Sequence, residues 1–189
     1  MASKRTSTTT STTTSTTTST RHLVLVGLMA SGKTTVGRLL GVRLGRPFVD
    51  NDVVLERRTG HSAREIALAD GSDALHLREA EALIDALAQP VPAVVAAAAA
   101  APLEPLAAAV MRLHDVVYLR ATPEVLAARL ARGSDDDHRP FVSGDAGAVL
   151  AAQFAARDAR YRALAKLVVD ADIDDADAIV DAIMSALAR

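Results

Sequence analysis

Eight residues constrain this chain more than any others: Gly27-Leu28-Met29-Ala30-Ser31-Gly32-Lys33-Thr34. They match the spacing G-x-x-x-x-G-K-[ST], and they have the flanks that spacing requires. Before them, His22-Leu23-Val24-Leu25-Val26 reads as a short buried parallel strand. After them, Lys33 to Leu44 carries apolar residues at helical spacing. Glycines at both ends let the backbone curl until successive N–H groups face one anion, and the helix N-terminus adds its dipole. A lysine here reaches the β- and γ-phosphates of a nucleotide, and the following hydroxyl can ligate Mg²⁺. Gly27, Ala30, Ser31, Gly32, Lys33, Thr34 and Thr35 are therefore the nucleotide-binding candidates, with Thr34 a metal ligand.

Strands and helices alternate along the rest of the chain. Short strands are expected at Phe48-Val49 (ending at Asp50), Ala93 to Ala96, Val116 to Leu119 and Leu167 to Val169. Helices are expected over Val53–Arg58, Ser62–Leu87 with a break near Gly71, Pro105–Leu113, from Pro123, Ala146–Ala165 and Asp175–Leu187. Such alternation predicts an α/β fold with a parallel sheet. Ahead of it, every residue from Thr6 to Thr20 is Ser or Thr. Residues 1–21 are read as a disordered tail, since they have nothing to bury against their ordering entropy, and 22–189 as one domain.

Composition narrows the function. The chain has 189 residues, half of them apolar, enough for one real core. A net charge of −2 offers no field for nucleic acid or anionic lipid. Aromatics at 3% give no platform for stacked bases. With no cysteine, disulfides, thiolate zinc sites and cysteine nucleophiles are excluded. His22, His61, His114 and His138 lack ligand spacing, so no zinc site is expected. No apolar run reaches the roughly 20 residues of a membrane span, and no apolar segment follows the basic start as in a secretory signal. A soluble cytoplasmic monomer is expected. So short a chain, without an N-K-x-D guanine motif, points among phosphate-loop proteins to a small-molecule kinase.

A second cluster narrows this further: Asp50-Asn51-Asp52, Glu56, Thr59-Gly60-His61-Ser62, Ile66, Asp70-Gly71 and Glu79. Together with the phosphate loop it resembles the shikimate kinase family in order and spacing over residues 22–189. The resemblance implies a five-stranded parallel sheet of order 2-3-1-4-5 flanked by helices, with a lid at about residues 133–147. It implies ATP and Mg²⁺, and it assigns roles to matching residues. Asp50 orders the shell of the metal. Asp52 binds the acceptor hydroxyl and is the candidate general base. Arg139, in Arg139-Pro140, is the lid arginine facing the transferred phosphoryl group. Arg132 packs on adenine. Arg157, four residues before Tyr161, holds the acceptor carboxylate, a task suited to a planar guanidinium. With Lys33, Asp52 and Arg139 form the expected catalytic set. The plain alternative for Asp50 and Asp52 is that they cap the following helix.

Two departures fall in the acceptor half. Leu75-His76 stands where the family has Phe-Arg, so His76 replaces a second carboxylate clamp. A charge-assisted bond is worth about 1.5–3 kcal/mol. Arg78, two residues on, points to another face of the helix. Ala97, Ala98 and Ala99 stand where the family has three glycines. Their methyl groups are expected to crowd the acceptor, to strain any position needing positive φ, and to favour an early start of the next helix. A bland exchange at negative φ is the other reading. The expected reaction is phosphoryl transfer from ATP to a hydroxyl of a small metabolite, shikimate first. The alternatives are another polyol or sugar acid as acceptor, or nucleotide binding without turnover.

Overall fold

The apolar run before the phosphate loop forms β1 (Leu23–Val26), every residue of which is buried. It lies at the centre of a five-stranded parallel sheet in the computed structural model of the protein, which describes residues 20–132 and 145–188. The remaining strands are β2 (Phe48–Asp50), β3 (Val94–Ala96), β4 (Asp115–Arg120) and β5 (Leu167–Asp170). Their order is β2-β3-β1-β4-β5, the order the resemblance implied. Strands buried on both faces need no alternation, which is why β1 and β3 read as continuous apolar runs.

The sheet is wrapped by α1 (Lys33–Leu44), α2 (Asn51–Thr59), α3 (Ala63–Asp70), α4 (Ser72–Leu87), α5 (Pro105–Met111), α6 (Pro123–Arg132), α7 (Ala146–Leu164) and α8 (Ala176–Leu187). Several ends were legible from capping chemistry. Ser62 and Glu65 form a reciprocal capping box at the start of α3. Asp175 accepts from Ala178 N ahead of α8. Gly60, at φ 75°, closes α2. The predicted break near Gly71 is the α3–α4 junction. The expectation of an early helix after β3 is corrected. Residues 97–100 are not helical, a single 3-10 turn follows at Ala101–Leu103, and α5 begins only at Pro105. Burial decides here: the methyl groups of Ala97 and Ala98 belong to the main core beside Val94 and Val95, which outweighs alanine's helix propensity.

Residues 1–19 of the expected tail, the lid tip and Arg139 lie outside the described residues. His22 serves the fold. Its Nδ1 accepts from Ala93 N, its Nε2 lies 3.1 Å from Gln89 O, and its ring meets His114 edge-on.

α1 approaches β2 closely because Gly37 has no side chain. A Cβ there would lie 2.4 Å from Phe48 Cε2 and 3.3 Å from Leu25 Cδ1. Gly37→Ala is expected to destabilise the fold by about 1–3 kcal/mol through overpacking, read as a lower urea midpoint at unchanged m.

Candidate active site

The C-terminal ends of β1, β2 and β3 bring the site together. β1 ends at Val26, and at Gly27, the next position, no other residue fits. A Cβ would lie 2.6 Å from Leu119 O and 2.7 Å from Ser31 Oγ. The loop then needs positive φ at Gly27 (152°), Ala30 (63°) and Gly32 (91°). Ala30 is the only non-glycine with positive φ among the described residues. For an L-residue that conformation costs roughly 1–2 kcal/mol, so the strain expected at the alanine run sits instead in the phosphate loop. Ala97, Ala98 and Ala99 all avoid positive φ, and the bland reading of that exchange holds for the backbone.

Lys33 curls back over the loop, its Nζ donating to Gly27 O at 2.9 Å and Leu28 O at 3.0 Å. Burial pulls its pKa below the ordinary lysine value, opposed by the negative charges of Asp52, Asp50 and Glu79. Ser31 Oγ is buried in the same loop without a hydrogen-bond partner among the described residues. Thr34 Oγ1 donates to Asp50 Oδ2 at 2.9 Å, joining the two metal-ligand candidates across 16 positions of sequence. Thr35 is exposed beside it. The other oxygen of Asp50 accepts from Asp52 N and caps α2. Asp50 therefore does both things the sequence left open: it caps a helix and faces the phosphate loop. A hydroxyl and a carboxylate so placed are the hard oxygen donors that Mg²⁺ takes.

The residues that the resemblance assigns to the acceptor lie on α2, α4 and α7 and after β3. Leu75, Glu79, Ala82, Leu83 and Ala86 form the buried stripe of α4, so Glu79 occupies a core position and is only 8% exposed. Its Oε2 has no hydrogen-bond partner among the described residues. Burial first, and the negative charge of Asp52 second, push its pKa up to about 8, against the pull of Arg157 and Lys33. Asn51, fully buried between the two aspartates, donates to Glu79 O at 3.1 Å and ties α2 to α4 at this point. His76 lies one turn before Glu79. Burial and the charge of Arg157 lower its pKa, against Asp73 and Glu104, so at neutral pH it is an uncharged imidazole. Arg78 turns away and pairs with Asp70 at 2.8 Å. Arg157 acts on Glu79, His76 and Tyr161, and it hydrogen-bonds the Tyr161 side chain. Tyr161 in turn donates to Ala99 O at 2.5 Å. Burial raises its pKa to about 12, so it stays a donor.

The comparisons with known proteins agree with this geometry. The sequence model of the shikimate kinase family matches residues 29–188. The chain is 39% identical to a shikimate kinase of Symbiobacterium thermophilum over 167 residues, 88% of this chain and 95% of that one. It is 36% identical to one of Burkholderia thailandensis, over 88% and 89% of the two chains. The protein belongs to the shikimate kinase family. Among solved structures, the Acinetobacter baumannii shikimate kinase in complex with shikimate superposes with a TM-score of 0.77 at 30% identity, covering 89% of this chain and 96% of that one. A gluconokinase from Sinorhizobium meliloti shares the fold, with a TM-score of 0.63 at 22% identity.

For a shikimate kinase family member, the site places most of the expected residues together. Lys33, Thr34 and Asp50 meet at the phosphate loop, Asp52 and Arg157 act on Glu79, and Arg157 acts also on His76. Arg132 is engaged elsewhere: it donates to Ala128 O and pairs with Asp174 at 2.8 Å, beside Arg129 on the same carboxylate. Asp172 accepts from Thr122 N, so the acidic β5–α8 turn holds the start of α6 as well as capping α8. Glu79 was quoted in the sequence resemblance but given no role in the site. Its position in the apolar stripe of α4 is the signal that marks it.

The raised pKa of Glu79 has a sign. The folded protein keeps a proton that the unfolded chain releases near the ordinary carboxyl value, so stability falls as pH rises from there through about 8. Glu79→Gln removes that loss. Its stability relative to the wild type is expected to rise from pH 5 to about pH 8 and then level off in urea titrations, and parallel pH profiles would show Glu79 ionised in the fold.

Proposed function

We propose that the protein transfers a phosphoryl group from ATP to a hydroxyl of shikimate, giving shikimate 3-phosphate, and acts as a monomer in the cytoplasm. The single observation that carries this is the junction of two half-sites. The Thr34–Asp50 bond ends the phosphate loop, and the next carboxylate, Asp52, already faces the Glu79–Arg157 cluster. The structure of a relative with bound shikimate, superposing over nine-tenths of this chain, supports the acceptor.

The amides of the Gly27–Thr34 loop and Lys33 would hold the polyphosphate, and Thr34 and Asp50 would hold Mg²⁺. Bound there, Mg·ATP supplies the phosphoryl group and neutralises charge on its oxygens. The chain's own work is positioning and proton handling. Lys33 exchanges its two carbonyl contacts for phosphate oxygens, and the charges of Asp52 and Asp50 favour its cationic form against burial. Asp52 orients the acceptor hydroxyl and takes its proton as the new O–P bond forms. Arg157 holds the acceptor carboxylate through a paired donor fork. Glu79, protonated below about pH 8, offers the ring hydroxyls a donor without placing a second negative charge beside Asp52. Arg139 closes over the phosphoryl group, and Arg132 packs on adenine after leaving Asp174.

Coupled ADP release with Mg·ATP tests the reading. Saturable, shikimate-dependent turnover is expected, and Asp52→Asn should lower kcat by at least about 100-fold while leaving ATP affinity unchanged. ATP binding without shikimate-dependent release would refute it.

The uncharged His76 leaves Arg157 as the one cation assigned to the acceptor carboxylate. His76→Arg adds a second and also gives Glu79 a countercharge. The KM for shikimate should fall by about 10-fold or more, with the KM for ATP unchanged.

A further inference from the structure

Three donors converge on one carboxylate at the back of the acceptor site. Asp158, on α7, accepts from Tyr118 Oη at 3.0 Å, from Arg120 Nε at 3.2 Å and from Arg162 Nε at 2.7 Å. Tyr118 and Arg120 belong to β4, and Arg162 lies one turn along α7. The Arg120 guanidinium also rests on the ring of Phe154, 5.0 Å from its centroid, one turn before Asp158. Asp158 is the single anion in the stretch Arg157–Arg162, which holds three arginines.

Asp158 is the immediate neighbour of Arg157. Successive residues on a helix point about 100° apart, so the face that turns Asp158 to β4 turns Arg157 toward α4. The same turn carries a second anchor. Tyr161, four residues after Arg157 and on its face, is fully buried and donates to Ala99 O at the end of β3. α7 is thus held at two points on two faces, with Arg157 between them.

The geometry points to Asp158 as a positioning residue for the acceptor: held by Tyr118, Arg120 and Arg162, it sets the rotation of α7 about its axis and so aims Arg157 at the acceptor carboxylate. This deepens the proposed function and rests on it. A bidentate clamp tolerates only about 10–20° of misorientation, so a helix free to roll would lose the paired bond first. Among the described residues none of the three hydrogen bonds to Asp158 involves Lys33, Thr34 or Asp50, so the effect is expected at the acceptor. Asp158→Asn keeps an acceptor for Tyr118 but removes the charge that separates Arg120 from Arg162. Tyr118→Phe keeps the charge and removes one hydrogen bond, and it serves as the milder variant if the first fails to fold.

The test is steady-state ADP release with shikimate and ATP varied separately. In Asp158→Asn the KM for shikimate is expected to rise roughly fivefold or more, with kcat and the KM for ATP within about twofold. Tyr118→Phe should move the same constant in the same direction by less. In an Arg157→Ala background, Asp158→Asn should no longer change the KM for shikimate, because the residue it aims is gone. A lowered melting temperature with unchanged shikimate KM in both variants would overturn the inference and leave the network as a brace. So would the same rise in KM with and without Arg157. Wild-type protein that binds ATP but shows no shikimate turnover would overturn the proposed function, and this inference with it. Unchanged KM values in variants of an active wild type overturn the inference alone.

Discussion

The fit of a bare backbone at Gly27 is what the rest of this structure depends on. β1 is hydrogen-bonded on both sides, to β3 and to β4, and has no freedom to shift. Its last turn passes so close to Leu119 O that a methyl group has no room. That contact places the loop against the end of β4, aligns the N-terminus of α1, and sets Thr34 within reach of Asp50. Thr34 and Asp50 come from different βα units, and only the parallel register of β1, β3 and β2 brings them within 2.9 Å. The loop meets this demand under strain, since Ala30 holds a left-handed conformation that glycine would adopt freely.

The acceptor half follows a different logic, in which charge is balanced in a small volume. Lys33 interacts with Asp50, Asp52 and Glu79, Glu79 interacts also with Arg157, and burial penalises the ionised forms of Lys33 and Glu79. Glu79 is buried beside the negative charge of Asp52. It relieves the excess negative charge by holding a proton. A neutral carboxyl is both donor and acceptor, so the pocket keeps polar recognition while its net charge is reduced.

The fold was largely legible because its signals are local. The phosphate loop, the apolar strands and the capping residues Ser62, Asp175 and Gly60 each act within a few residues. The strand order came from resemblance to a family, since neither periodicity nor spacing states which strands pair. The site was legible where a residue's chemistry has one purpose, as for Lys33 and Thr34. It was less so where burial decides: the alanine run follows the core rather than its helix propensity, and Glu79 shows its protonation only once Asp52 and α4 are packed together. The Asp158 network was out of reach for the same reason. Tyr118 looks like one more apolar strand residue until the sheet places it beneath α7.

The contacts of His22 set the geometry of the opposite edge. This residue enters β1 at the N-terminal ends of the strands, pinned by Ala93, Gln89 and His114. Parallel strands give the sheet a polarity, and the phosphate loop leaves β1 at its other end, about 13 Å away for four residues at ~3.3 Å each. A tether, affinity label or fusion partner joined ahead of Arg21 is thus attached on the non-catalytic edge. Surface immobilisation through that end would leave the mouths of both half-sites facing the solvent.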